Sequence, residues 1–147
     1  MIRNATTLDL WRITRAYNVP GAARLSPCGR WRTFRRLQMQ RRLGPCSSLW
    51  EDGRLCAVGG LCETVPGVAE AWAVVSPHAG RKPLRFVRTC RAWLDRQRYR
   101  RISASVADLY ELHAFCHLLG FACETKLHCA DAAGGPVYIY ARFKEVA

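Results

Sequence analysis

Residues 48–58 read SLWEDGRLCAV. Apolar and polar side chains alternate on both sides of Asp52-Gly53, a dipeptide that favours the type I′ turn of a two-residue β-hairpin. The stretch therefore predicts two antiparallel strands, and the second one is expected to continue through Gly59-Gly60 to Glu63. Glycines inside a strand indicate either a bulge or the close approach of another backbone segment.

Two helices are predicted before this hairpin, after a short strand over residues 2–5. Thr6, followed by Asp9 three residues later, is typical of a capping box, and the helix that it opens is expected to end before Pro20-Gly21. A second helix is predicted over residues 31–42. Its apolar residues are expected to face inward and its cations to stay in solvent. The inward set is Trp31, Phe34, Leu37 and Met39, and the solvent set is Arg32, Arg35, Arg36 and Arg42.

After the hairpin, Pro66-Gly67 predicts a turn, and residues 68–75 predict a strand with Glu70 and Trp72 on one face. A helix is expected from Pro83 to about Tyr99, with Leu84 on its apolar side. The last four elements are a strand, a helix and two strands, over residues 101–106, 108–119, 121–129 and 137–143. The order β-α-α-β-β-β-α-β-α-β-β predicts a single α/β domain over residues 1–147.

Composition excludes several classes of protein. The chain has 147 residues, enough for one domain with a core, and no apolar run approaches the ~20 residues of a membrane-spanning helix. The start, Met1-Ile2-Arg3-Asn4, lacks the sections of a secretory signal, so a cytoplasmic protein without a membrane partner is expected.

The chain has eight cysteines, several of which lie inside apolar stretches, and no CxxC pair occurs. They are therefore expected to act as small buried residues rather than as disulfides or zinc ligands. His113, Cys116 and His117 can share one helix face, but without a CxxC anchor such spacing is more often core. No metal is predicted.

Charge is concentrated near the N-terminus. The net charge is +12, and residues 10–50 hold nine arginines and no acid. This arginine-rich segment, taken as residues 10–45, predicts an acidic or phosphate-bearing partner, either DNA or an acidic protein surface. A solvated arginine-rich face is the alternative. The contact residues expected on it are Arg24, Arg30, Arg32, Arg35, Arg36, Arg41 and Arg42.

Leu119-Gly120-Phe121 closes the helix over residues 108–118. At this point of the element order it resembles the "LGF" of the GNAT acetyltransferase superfamily, and the resemblance covers nearly the whole chain. It implies a mixed central sheet of about six to seven strands, flanked by about four helices, and acetyl-CoA as the cofactor. The compact size and the strand that holds Trp72 also resemble small GNAT-like proteins of tailed bacteriophages.

The resemblance implies that Val74 and Val75 line the pantetheine channel and that the loop over residues 76–82 meets the pyrophosphate. The family's loop pattern is kept only at Gly80. Lys82 replaces a second small residue, and Arg81 and Lys82 are expected to attract phosphate as point charges or to remain surface cations.

By the same resemblance, Glu70 on the fourth strand is the candidate general base. The family's frequent tyrosine acid falls on Cys116, whose thiol is either the acid or an ordinary core residue.

Two functions are predicted from the sequence. One is an acetyl-CoA-dependent N-acetyltransferase with a degenerate cofactor loop. The other is an inactive, virion-associated structural or binding protein whose basic face contacts DNA or an acidic partner, such as a phage structural protein. A helix-turn-helix over residues 6–42 is less favoured, because the break between its helices is too long.

Overall fold

A computed structural model of the chain describes residues 1–16 and 27–144, and for Pro27 and Cys28 it describes the backbone alone. These residues form seven strands, four α-helices and a 3₁₀ helix (Pro77–Arg81). The bounds are β1 (Ile2–Asn4), α1 (Thr7–Ala16), α2 (Pro27–Arg42), β2 (Cys46–Glu51), β3 (Arg54–Val65), β4 (Val68–Val75), α3 (Pro83–Asp95), β5 (Arg101–Ala107), α4 (Tyr110–Leu118), β6 (Ala122–Leu127) and β7 (Val137–Phe143). The predicted order of elements and the α/β class are confirmed.

The strands form one mixed sheet in the order β1-β2-β3-β4-β5-β7-β6. β4 and β5 are parallel, whereas β1–β2, β2–β3, β5–β7 and β6–β7 are antiparallel pairs. The chain divides into two compact units, one of residues 1–62 and 72–83 and the other of residues 63–71 and 84–147. That residues 1–147 form one domain stays a prediction.

The hairpin of the first unit has the predicted geometry. Glu51 pairs with Arg54, and both turn residues have positive φ, 48° at Asp52 and 72° at Gly53, as a type I′ turn requires. Farther along β3, a Cβ on Gly60 would lie 2.7 Å from the backbone oxygen of Pro45. Of the two predicted reasons for the glycine pair, close backbone approach is therefore the one found.

The predicted capping box is present at the start of α1. The backbone N–H of Asp9 donates to Thr6 Oγ1 at 3.1 Å, and the N–H of Thr6 donates to Asp9 Oδ2 at 3.0 Å. Asp9 is fully buried and also accepts from Ser48 Oγ at 3.0 Å and from Arg3 at 3.2 Å. Burial alone would raise the pKa of Asp9, but these hydrogen bonds and the Arg3 charge hold it below its ordinary value. The carboxylate thereby ties α1 to β2.

α2 packs one side against the core of the first unit. Phe34 and Leu37 are buried, as predicted. The prediction is wrong for Trp31 and Met39, whose exposed fractions are 53% and 66%. Met39 lies two residues, or about 200° around the helix, beyond Leu37, and therefore faces solvent. Trp31 lies on the flank of the buried side and rests on the ring of Phe34, 5.6 Å between centroids.

In the second unit, α3 and α4 contact each other through the rings of Phe86 and Phe115, whose centroids lie 5.5 Å apart. α3 ends at Asp95, earlier than predicted. Leu84 is 70% exposed, so its predicted inward position is also wrong, and Phe86 and Leu94 are the buried residues of this helix. Gly120, at φ 84°, ends the α4 segment.

Candidate active site

Glu70 lies at the end of the parallel pairing of β4 with β5, opposite Ser103. It is exposed, and Ser105 Oγ donates a hydrogen bond of 3.0 Å to its Oε1. A carboxylate held from one side keeps its other lone pairs available to accept a proton. The side chain thus has the access that a general base needs, and its role stays a prediction.

β4 departs from the regular alternation of a strand. Ala69 and Val74 are both buried although they are five positions apart, and Glu70 and Ala73 are both exposed although they are three positions apart. Residues on one face of a regular strand are an even number apart. Burial along β4 therefore does not follow a single face. Glu70 is exposed, whereas Trp72 packs against the buried cluster of the first unit, and that the two share a face stays a prediction.

Val74 is buried and Val75 is half-buried at the end of β4, and Ser76 anchors the loop that follows them. The Ser76 N–H donates to the carbonyl of Cys56 at 2.8 Å, and its hydroxyl donates to the carbonyl of Leu55 at 2.8 Å. The same hydroxyl accepts from the His78 N–H and caps the 3₁₀ helix. This loop is therefore fixed to β3 at its first residue.

The loop brings an open position and two cations to the N-terminus of α3. A Cβ on Gly80 would have no atom within 4 Å, so the space beside this residue is empty of protein. Arg81 is exposed, and Lys82 Nζ lies 3.0 Å from Asp52 Oδ2 in an exposed ion pair. Such a pair is weak and easily exchanged. That this loop meets the pyrophosphate stays a prediction.

Cys116 is buried on α4, and burial raises the pKa of its thiol to about 11. The group is a neutral thiol at physiological pH. Its predicted role as the acid stays a prediction, beside its evident role as a core residue of the second unit.

A hydrogen-bonded chain that the sequence did not predict lies one helical turn before Cys116. His113 Nε2 lies 3.1 Å from Asp108 Oδ1, and its Nδ1 lies 2.8 Å from the hydroxyl of Tyr140. A carboxylate only accepts, so in the neutral ring Nε2 carries the proton and Nδ1 accepts from the phenol. Tyr140 is 2% exposed; burial first, and then neighbouring cysteines that include Cys116, raise the pKa of its hydroxyl. The chain Tyr140–His113–Asp108 can therefore hold and pass a proton.

The sequence indicates two members of this chain by their spacing. His113 shares a helix face with Cys116, three residues later, and Asp108 lies five residues before His113. Tyr140 comes from β7, and only the register Ala104↔Tyr140 brings it under α4, which no local pattern reveals.

No group of three or more His, Cys, Asp or Glu residues in positions 1–16 and 27–144 is arranged to hold a metal ion. The rings of His113 and His117 instead lie against Tyr140, with centroids 5.8 and 5.4 Å away. The seven cysteines whose side chains the structure describes are free thiols.

The predicted arginine contacts fall into three groups. Arg24 lies outside the described residues. Arg30 and Arg41 are half-buried, and Arg41 donates to Thr7 Oγ1 at 3.1 Å. The other four are exposed on α2, as predicted: Arg32, Arg35, Arg36 and Arg42.

The fold is similar to that of solved acetyltransferases. The ribosomal-protein-S18-alanine N-acetyltransferase from Escherichia coli superposes with a TM-score of 0.72 at 16% identity, over 100% of this chain and 95% of that one. The ribosomal-protein-S5-alanine acetyltransferase from Vibrio fischeri gives 0.66 at 12% identity, over 98% and 92%. A GNAT superfamily phosphinothricin acetyltransferase from Sinorhizobium meliloti, in complex with AcCoA, gives 0.68 at 18% identity, over 97% and 87%.

These likenesses establish that the chain has a GNAT-like α/β fold, with the predicted mixed sheet and four helices. No protein-family profile matches the sequence, and no curated protein does. Across residues 1–16 and 27–144, none of the helices is both long and apolar enough to cross a membrane.

Proposed function

We propose that the protein transfers an acetyl group from acetyl-CoA to an amine. The observation that carries the proposal is the exposed Glu70 carboxylate, oriented by Ser105 on a strand of a GNAT-like fold that also leads into the candidate cofactor segment. Both the candidate base and the candidate pantetheine residues lie on β4.

The residues of the first unit fit acetyl-CoA. The backbone at Val74 and Val75 would hold the pantetheine arm. The position beside Gly80, where a side chain would meet no protein atom, would admit the pyrophosphate, with Arg81 and Lys82 as its counter-charges. Acetyl-CoA supplies an acyl group activated as a thioester.

Transfer to an amine requires that the attacking nitrogen lose a proton while its bond to the carbonyl carbon forms and the carbon–sulfur bond breaks. Glu70 is proposed to accept this proton, directly or through water. Ser105 is proposed to fix the carboxylate by donating to Oε1, which leaves Oε2 directed at the amine.

The thiolate released by acyl transfer must be protonated, and two groups of the second unit are candidates. Cys116 carries the role by resemblance. Tyr140 is the stronger candidate, because its hydroxyl is paired with His113, which in turn is held by Asp108. The hydroxyl of Tyr140 donates to Nδ1 of His113, so to act as the acid it must turn its O–H towards the thiolate, after which solvent restores the proton. No described side chain holds the Cys116 thiol in a comparable way.

The acceptor amine is proposed to belong to an acidic or phosphate-bearing molecule, because of the net charge of +12. Purified protein, acetyl-CoA and a panel of amines test the proposal, with the acetylated product detected by mass spectrometry. The panel holds peptides with a free N-terminal alanine, acidic peptides and spermidine.

Glu70→Gln is expected to lower kcat about 100-fold and to leave the KM for acetyl-CoA unchanged. Glu111→Gln, an exposed acid of α4, is the matched control and should retain full activity. Equal rates for wild type and Glu70→Gln would overturn the assignment of the base.

The alternative is a binding protein without catalysis, including the virion-associated role. One observation favours it: the His78 and Ala79 amides already donate to Ser76, and Lys82 already pairs with Asp52, so part of the loop is engaged within the protein. Absence of both product and acetyl-CoA affinity would select this alternative.

A further inference from the structure

We propose that the outer side of α2 is a binding site for single-stranded nucleic acid, independent of acetyl transfer. The site is the α2 stripe, defined as the exposed residues Trp31, Arg32, Arg35, Arg36, Met39 and Arg42.

The α2 stripe is contiguous. Residues three and four apart on a helix are surface neighbours, so Arg32, Arg35 and Arg36 adjoin one another, and steps of four residues connect Trp31 to Arg35 and on to Met39. The opposite side, with Phe34 and Leu37, is buried and fixes the helix in the first unit.

Within the described residues, the cations of the α2 stripe have no counter-charge. Two other arginines of the first unit do have side-chain partners: Arg3 bonds Asp9, and Arg41 bonds Thr7. For Arg32, Arg35, Arg36 and Arg42, by contrast, neither a hydrogen bond nor an ion pair with any described residue is present. α2 itself holds no acid, and the one acid of α1, Asp9, is buried. Like charges one turn apart repel each other, and a polyanion would relieve this repulsion.

The exposed Trp31 of the α2 stripe indicates which class of polyanion would bind there. Trp31 is 53% exposed, and its indole rests on Phe34 with the rings tilted by 36°. The ring is therefore supported from below and open above, between guanidinium groups that can each bind a phosphate bidentately. An acidic protein surface would satisfy the charges but would need a pocket to bury the indole, and competition with polyglutamate tests this occupant. A duplex hides the faces of its bases, whereas a single strand presents both phosphates and stackable bases.

Fluorescence anisotropy with a labelled 12-nucleotide single strand of mixed sequence tests the proposal. DNA and RNA versions are both used, because both carry the phosphates and bases that the stripe is proposed to bind. Four phosphate contacts predict that log K falls with log salt concentration with a slope of about −2.8. Arg35→Gln should lower the affinity about fivefold at 0.1 M salt and make the slope shallower by about 0.7. Arg88→Gln, which removes an exposed arginine from α3, is the matched control and should change neither.

Trp31→Leu separates base stacking from charge. It should lower the affinity for the oligonucleotide about tenfold, leave the salt slope unchanged and leave heparin binding unaffected. The proposal is overturned if the single strand does not bind at low salt, or if Arg88→Gln weakens binding as much as Arg35→Gln. It is also overturned if Trp31→Leu has no effect, or if polyglutamate displaces the oligonucleotide as efficiently as unlabelled single strand does.

Discussion

The hydroxyl of Tyr140 lies 2.8 Å from Nδ1 of His113, one helical turn before Cys116, the residue on which the family's tyrosine acid falls by resemblance. The ring nitrogen on the other side of His113 is held by Asp108 at 3.1 Å. The phenol is therefore an O–H donor held in place by a partner side chain, whereas no described side chain holds the thiol of Cys116.

Replacement of Tyr140 should therefore cost more activity than replacement of Cys116. Tyr140→Phe keeps the packing of the ring and removes the hydroxyl, and we expect kcat to fall about 100-fold. Cys116→Ala should change kcat less than about threefold. Steady-state kinetics of both variants decide between the two acids, and a large loss in Cys116→Ala with none in Tyr140→Phe would return the role to the thiol.

The thiols should differ in their reactivity. Burial raises the pKa of Cys116 and of Cys90 to about 11 and that of Cys46 to about 12, whereas Cys123 and Cys129 are exposed. At pH 8 only about one Cys116 in a thousand is a thiolate, the reactive form. Iodoacetamide labelling of the folded protein, followed by peptide mass spectrometry, should modify the two exposed cysteines first. Early labelling of Cys116 would contradict the structure at α4.

Gly60 should not tolerate a side chain. Its Cβ would lie 2.7 Å from the carbonyl oxygen of Pro45 and 3.2 Å from the Cα of Cys46, and neither backbone atom can move easily. Gly60→Ala is expected to lower the free energy of unfolding by about 2 kcal/mol, as overpacking does. Gly80→Ala, where a Cβ meets no atom within 4 Å, is the control and should leave stability unchanged. Urea denaturation of both variants makes the comparison.

Asp9 should make stability depend on pH at the acid end. Its pKa is lowered in the folded protein, so the stability that it provides is present above the unfolded-state pKa, near 3.8, and is lost as the pH falls through the folded-state pKa. Asp9→Asn should cost about 2 kcal/mol at pH 7, because several bonds to a buried charge are weakened. The variant should also lose less stability than wild type on acidification below pH 4.

Asp52→Asn is the control for that measurement, since Asp52 is exposed and asparagine accepts its positive φ. A change of under about 0.5 kcal/mol is expected there. An Asp9→Asn variant as stable as wild type, with the same acid profile, would show that the capping network does not stabilise α1.

Local sequence rules predicted the elements whose causes are local. The Asp52-Gly53 turn, the Thr6–Asp9 capping box and Gly120 at the end of α4 each follow from the conformational preferences of a few neighbouring residues. The predictions that were wrong concern side chains whose burial depends on tertiary packing. Trp31 and Met39 have apolar side chains but lie exposed on α2, and apolar character alone does not distinguish them from the buried Phe34 and Leu37.

For the candidate site, too, the sequence predicted single residues but not the long-range contacts between them. Glu70 could be chosen because it is the lone acid of an apolar strand. The bond from Ser105 and the pairing of Tyr140 with His113 join residues more than 25 positions apart, and no spacing in the sequence encodes them. The arginine-rich segment was visible from composition, but which arginines stay unpaired required the contacts of α1 and α2.

Calorimetric titration of the protein with acetyl-CoA at near-physiological salt tests the central claim most directly. We predict saturable binding in the micromolar range, weakened at least tenfold by the double substitution Arg81→Gln and Lys82→Gln. The double substitution Arg32→Gln and Arg35→Gln, which removes the same charge from α2, should leave this affinity unchanged. No heat at millimolar acetyl-CoA, or equal weakening by both double variants, would contradict the assignment of an acetyl-CoA-dependent transferase.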